Sequence, residues 1–153
     1  MADTELLRKI SEWMTFRFAL NTNAEWKIWT FIVGAAAHLE LLAVIILWEK
    51  ERRPDSFDNY QPKISLGQAI SKIEKESLLD AATVDTIKAV AHVRNSVSHR
   101  NATLGVSFPT SNVGLYKGRH VFTDPAGLQQ LADDTDDATC KMKVCLGKLR
   151  DQK

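Results

Sequence analysis

Between Ile28 and Trp48 the chain runs through 21 mostly apolar residues, and any fold must take that run out of water. As a helix it measures about 30 Å, the thickness of a bilayer's hydrocarbon core and also the length of a long core helix. A transmembrane helix at 28–48 is supported by the length, by Trp29 and Trp48 near the ends, and by Lys50, Arg52 and Arg53 just beyond. Against it stand His38 and Glu40 at the centre, where each charge costs about 3 kcal/mol on insertion scales. The flanking segments are amphipathic and need a core to pack on, which a helix apolar all round supplies. The run therefore reads as a central buried helix, with His38 as a hydrogen-bonded core histidine and the membrane span as the alternative.

The segments around it follow the helical period. A first helix is expected from about Asp3 to Leu20, its apolar side carrying Leu6, Leu7, Ile10, Trp13, Met14 and Phe18. Asn21-Thr22-Asn23 breaks it, and Thr22 with Glu25 makes a capping box for the long helix, which Pro54 stops near Arg53. Residues 54–63 read as a loop. Ser65 and Gln68 form a second capping box ahead of a short helix to about Glu76, with Leu66, Ala69, Ile70 and Ile73 inward. A further helix spans about Asp80 to Asn101, capped by Asp80 or Thr83. Gly105, Pro109 and Gly114 then mark irregular chain, and Leu115 to Phe122 suggests a small hairpin turning at Lys117-Gly118. Asp124-Pro125 opens the last helix, whose seam is Leu128, Leu131, Ala138, Met142, Cys145 and Leu149. Asp133, Asp134, Asp136 and Asp137 read as its solvated face.

With 153 residues the chain suits one domain, 1–153. A net charge of +1 excludes a generally basic nucleic-acid coat, so any contact with RNA must be local. Residues 61–120 carry eight Lys/Arg against four Asp/Glu, a modest basic excess around the fourth helix. Cys140 and Cys145 have neither metal-pair nor disulfide-framework spacing and read as buried or half-buried thiols in a reducing compartment. The acidic first residues lack a signal-peptide layout, so a cytoplasmic protein is expected.

The segment Ala91 to Arg100 carries the chemistry. Val84, Ile87, Val90, Val93 and Val97 share one arc of the helix, and Arg94 falls inside it, about 40° from Val90. A guanidinium there must be paired or placed beside a wet cleft. Glu40, central in the long helix, is its natural counter-charge, and a buried pair would make Glu40→Gln cost on the order of 3–5 kcal/mol. Asn95 and His99 lie four apart on the polar side, where the amide can hydrogen-bond the imidazole and fix its tautomer.

Arg94-Asn95-x3-His99, late in a run of helices, resembles the signature of the HEPN domain family (higher eukaryotes and prokaryotes nucleotide-binding). The resemblance covers about residues 24–103 and, more loosely, the last helix. It extends to an apolar early helix with an acid near its middle, here Ala35 to Leu42 with Glu40. It implies an all-α fold, a four- to five-helix up-down bundle, to which this chain adds an irregular or β-hairpin insertion near 104–123. It implies a homodimer whose two signature helices pool their residues in a composite cleft, and RNA as substrate. Arg94, Asn95 and His99 become the catalytic candidates, Glu40 and Ser98 their supports, and Lys88, His92, Arg100, Lys117 and Arg119 the candidate RNA contacts. His120 suits phosphate contact or plain exposure equally.

Such a site would act as a metal-independent endoribonuclease. A histidine with a near-neutral pKa can take the ribose 2′-OH proton or protonate the departing 5′-oxygen, while arginine holds two phosphoryl oxygens. The products are a 2′,3′-cyclic phosphate and a 5′-hydroxyl. No cofactor or metal is expected, since His92 and His99 lie two turns, about 10 Å, apart. Residues five apart leave a helix about 140° apart, so Arg94 and His99 meet only if the arginine bends round, the helix ends near Ser98, or two helices pool their residues. HEPN toxins paired with a nucleotidyltransferase antitoxin carry a tyrosine two residues beyond the histidine. Asn101 stands there, which argues against that antitoxin while leaving another regulatory protein open. The readings carried into the structure are a toxin or defence ribonuclease, a catalytically silent HEPN module binding RNA, a nucleotide or a protein, and a membrane-anchored helical protein.

Overall fold

The structure, a computed structural model, describes residues 23–101 and 114–152, with side-chain surroundings for 27–97 and 114–152. The helix expected over 3–20, the Thr22–Glu25 capping box and the irregular chain at 102–113 lie outside the described residues. Among the described residues the protein is mostly helical, with five α-helices and one two-stranded hairpin. In chain order these are α1 (Asn23–Lys50), α2 (Phe57–Tyr60), a 3-10 turn (Gln61–Lys63), α3 (Leu66–Lys75), α4 (Ala81–Asn101), β1 (Leu115–Tyr116), β2 (Arg119–His120) and α5 (Pro125–Asp151).

The apolar run forms α1, and α3, α4 and α5 all pack against it. Ile32, Ala36, Leu39, Ala43, Val44, Ile46 and Leu47 are fully buried there, meeting Ile73, Val84, Ile87, Val90, Val93, Leu131 and Met142 in one core. The small Ala36 and Ala43 let neighbouring helices approach closely. α1 is not buried all round, however. Phe31 and Leu41 are 40% and 44% exposed, and Gly34, Ala37 and His38 share their face. The reason is geometric: the three helices that pack on α1 occupy one broad arc of it. His38 is therefore a surface residue and not a core histidine. Lys27–Lys50 is long and apolar enough to cross a membrane by length and composition, yet half of its most apolar stretch is buried within the protein.

α1 ends three residues earlier than expected. Arg52 and Arg53 both take left-handed backbone, φ 60 and 53, and the Arg53 N–H donates to the Trp48 carbonyl at 2.8 Å. This closes the last turn before Pro54. Arg53 then turns back on Glu49, which is 4% exposed, at 2.7 Å, and Arg150 of α5 reaches the same carboxylate oxygen at 3.3 Å. A cation that would flank a membrane span thus neutralises a buried acid. The loop expected at 54–63 contains α2 and the 3-10 turn, held by Trp48 stacked edge-on against Phe57 at 5.4 Å.

Caps start the remaining helices where the side chains predict. Ser65 and Gln68 make both bonds of the capping box at α3. Asp80 accepts from the Thr83 N–H at 2.8 Å at α4, and Asp124 accepts from Ala126 at α5 ahead of Pro125. Cys145 is half-buried as expected, but Cys140 is exposed because the α5 seam turns away from it.

The hairpin pairs Leu115 with His120 and Tyr116 with Arg119. Its two central residues, Lys117 and Gly118, have φ 48 and 80, the left-handed pair that matches strand twist in a two-residue loop. Gly114 is also left-handed, and a Cβ there would sit 2.8 Å from the Phe122 ring. Tyr116 is fully buried, and its hydroxyl donates to Asp134 at 2.8 Å, where Lys117 also arrives at 2.9 Å. Asp134 therefore departs from the solvated acidic face expected of it and pins the hairpin to α5. The Gly114 N–H donates to Ser96 at 3.4 Å, which ties the same hairpin to α4.

Burial acts to raise the Asp134 carboxyl, but the bonds from Lys117 and Tyr116 outweigh it and hold the group below its usual value. A depressed carboxylate contributes stability that is present above its unfolded pKa and lost as pH falls through the folded value, here below about pH 4. Asp134→Asn should accordingly lower stability at pH 7 by about 1–2 kcal/mol, with the deficit shrinking toward pH 2.5. Urea melts at both pH values check this, and a deficit independent of pH would contradict it.

Candidate functional site

Arg94 lies at the edge of the α4 core stripe. Ile87, Val90, Val93 and Val97 fill the stripe at 0–1% exposure, while the Arg94 side chain remains 25% exposed. An arginine at such an edge can lay its aliphatic stem along apolar surface and keep its guanidinium in water. There Nη1 lies 3.6 Å from Glu40 Oε2 of α1, whose side chain is 33% exposed, and Nε donates to Asn95 Oδ1 at 2.8 Å. The expected Glu40–Arg94 meeting occurs, but at the rim of the packed helices rather than deep among them.

Asn95 accepts through its side-chain oxygen from the neighbouring arginine. A charge-assisted bond of this kind holds the amide beside the guanidinium. The bond expected from that amide to the His99 ring falls on a side chain outside the described residues. α4 also continues unbroken to Asn101, which removes the option that the helix ends near Ser98. Ser98, His99 and Arg100 stand on that backbone, and their side chains lie outside the described residues.

An open groove of about 520 Å³ borders the pair. α4 supplies Lys88, Ala91, His92, Arg94 and Asn95 to it, α1 supplies Glu40, and α3 supplies Ser65, Leu66, Gly67 and Ile70. Lys88 and His92, both candidate RNA contacts, thus share a wall with Arg94. Lys88 is engaged by Glu74 at 2.9 Å in an exposed ion pair, and His92 is exposed. Lys117 and Arg119 sit apart on the hairpin. Lys117 is held by Asp134, and the stem of Arg119 lies over Gly127, where a Cβ would come within 2.9 Å of it. Among the described residues no group of three or more His, Cys, Asp or Glu could hold a metal ion.

The α3 wall was not visible in the sequence. Its capping box located the start of α3, but a cap carries no information on which groove that start borders. No protein-family model, curated protein or solved structure matches this chain.

A pair exposed by a quarter to a third is screened by water, so the strongly destabilising cost expected of a fully buried pair does not apply. In a double-mutant cycle of Glu40→Gln and Arg94→Leu, measured by urea melts, the coupling should be about 0.2–1 kcal/mol. Strict additivity would mean that the two side chains do not interact in solution.

Proposed function

We propose that this chain is a HEPN-type domain, a four- to five-helix up-down bundle that cleaves RNA without metal or cofactor as a cytoplasmic homodimer. The observation that carries the reading is the Arg94 guanidinium, held by Glu40 and Asn95 with a quarter of its surface open beside a groove. An arginine anchored on two sides spends less conformational entropy on gripping a phosphodiester, and it still has donors to offer. His99 supplies the proton transfers, one turn and a half further along α4. The helix runs through Asn101 and the two residues leave it about 140° apart, which supports pairing His99 of one chain with Arg94 of another across a two-fold axis.

The reaction follows from those groups. An imidazole accepts the 2′-OH proton, and the 2′-oxygen attacks phosphorus. Arg94 stabilises the charge gathering on the phosphoryl oxygens, and a protonated imidazole delivers the proton to the departing 5′-oxygen. Within this reading Ser98 supports the imidazole, and Lys88, His92, Arg100, Lys117 and Arg119 contact the strand. A regulatory protein that occupies the groove would silence it. The Glu40–Arg94 pair also suits a structural role, and that favours a second reading, a catalytically silent module of the same fold that binds RNA, a nucleotide or a protein.

Incubation of the purified chain with RNA in EDTA separates the two. Cleavage to 2′,3′-cyclic phosphate and 5′-hydroxyl ends is expected, and His99→Ala and Arg94→Ala should each reduce it about 10²–10⁴-fold with circular dichroism unchanged. RNA binding without any cleavage would leave the silent module, and full activity in folded His99→Ala would sink the mechanism.

A further inference from the structure

The end of α1 is closed by two residues that the backbone alone would not choose. The Arg52 N–H donates to the Glu49 carbonyl at 3.0 Å and the Arg53 N–H to the Trp48 carbonyl at 2.8 Å. These are the paired bonds of a Schellman motif, with Arg52 at its left-handed position. Glycine is the usual residue there, because a Cβ in left-handed backbone crowds the following carbonyl. Arg53, the next residue, is left-handed as well. Two arginines in such a conformation need a reason in their side chains.

Arg53 has one. It bonds buried Glu49 through Nε at 3.2 Å and Nη2 at 2.7 Å, and its guanidinium lies over the Trp48 ring at 4.9 Å. Lys50 and Arg150 stand in the last turns of α1 and α5, where helix dipoles favour cations, and they reach Glu76 at 3.9 Å and Glu49 at 3.3 Å. Arg52 has none: among the described residues its side chain makes no hydrogen bond or ion pair.

Lys50, Arg52 and Arg53 line a recess of about 500 Å³ with Glu49, Leu149 and Gln152. That volume lies within the range of small-molecule sites, about 300–1,000 Å³. With Arg150, four cations there face two carboxylates, Glu49 and Glu76, which leaves two positive charges in excess. Arg53 keeps three of its five N–H donors clear of Glu49, and Arg52 keeps all of its own. We propose that this recess binds a phosphate monoester as its dianion, gripped by the Arg52 guanidinium with Arg53 and Lys50 completing the charge. The two excess charges match the dianion, and the guanidinium fork matches two phosphoryl oxygens. A soluble phosphate ester and the headgroup of phosphatidic acid present that same group. An RNA strand carries one charge per phosphate and needs cations tracking along a groove, not a cluster at one helix end. This inference does not depend on the RNA reading.

The test is calorimetric titration of the full chain with phenyl phosphate at pH 8, where the monoester is a dianion, and with phenyl sulfate, a monoanion of the same shape. Phenyl phosphate should bind more tightly. Arg52→Gly should weaken it about ten- to a hundredfold, as loss of hydrogen bonds between charged groups does, while Tm stays level or rises because glycine suits the left-handed position. Arg52→Lys, a point charge without the fork, should fall between, and Lys143→Ser, which removes an exposed cation elsewhere on α5, should bind as the unsubstituted chain does. Flotation with phosphatidic acid vesicles, lost in Arg52→Gly, would assign the group to a lipid if phenyl phosphate does not bind. Binding of neither would overturn the proposal, and so would equal affinity for the two phenyl esters, undiminished binding by Arg52→Gly, or an equal loss in Lys143→Ser. RNA binding lost in Arg52→Gly, without binding of phenyl phosphate or vesicles, would overturn it in favour of a strand.

Discussion

Glu40 is an acid in the middle of the helix on which the rest of the fold is packed, and it is accommodated there at the rim, a third exposed to water and 3.6 Å from Arg94. α1 presents alanine and branched aliphatic side chains to α3, α4 and α5 and has no other ionisable group between His38 and Glu49. The guanidinium arriving from α4 at 3.6 Å supplies the counter-charge, and because both groups keep a quarter to a third of their surface in water, neither bears full desolvation. The same partial exposure leaves the arginine accessible from outside. One contact between two helices thus serves packing and opens a chemically useful cation onto a groove.

A second acid follows the opposite strategy. Glu49 is buried and answered by two arginines, Arg53 from just beyond its own helix and Arg150 from α5. Both cations reach the same oxygen, Oε1, and neutralise the buried acid where α1 meets α5. At the other side Asp134 collects the Tyr116 hydroxyl and the Lys117 ammonium and thereby fixes the hairpin to α5. In all three the carboxylate that leaves water meets a cation, as burial of a charge demands.

Much of this was legible in the sequence wherever the governing physics is local. The Ser65–Gln68 capping box, the Asp124-Pro125 helix start and the hairpin turn at Lys117-Gly118 each depend on a few consecutive residues, and each stands where those residues predict. The meeting of Glu40 with Arg94 was legible for another reason: an apolar helix with one acid and an apolar stripe with one base leave few alternatives. What escaped depends on which neighbour covers which arc. His38 looked buried because α1 is apolar on every side, yet its neighbours occupy only part of the circumference. Asp134 looked solvated because it stands in an acidic run, and nothing local announces a tyrosine arriving from 18 residues upstream. The Arg94–Asn95 bond escaped because helical spacing ranks partners at four residues above the adjacent side chain, whereas a long flexible arginine can reach its immediate neighbour.

The central functional proposal is that a complete site takes Arg94 and His99 from two different chains, since the two residues leave an unbroken α4 about 140° apart. Mixing is the direct measurement: inactive Arg94→Ala protein is unfolded and refolded together with inactive His99→Ala protein, and RNA cleavage is followed. Random pairing makes half of the dimers mixed, each with one intact pairing of Arg94 and His99, so the mixture should recover about a quarter of wild-type activity. A mixture as inactive as its two parents would contradict the account.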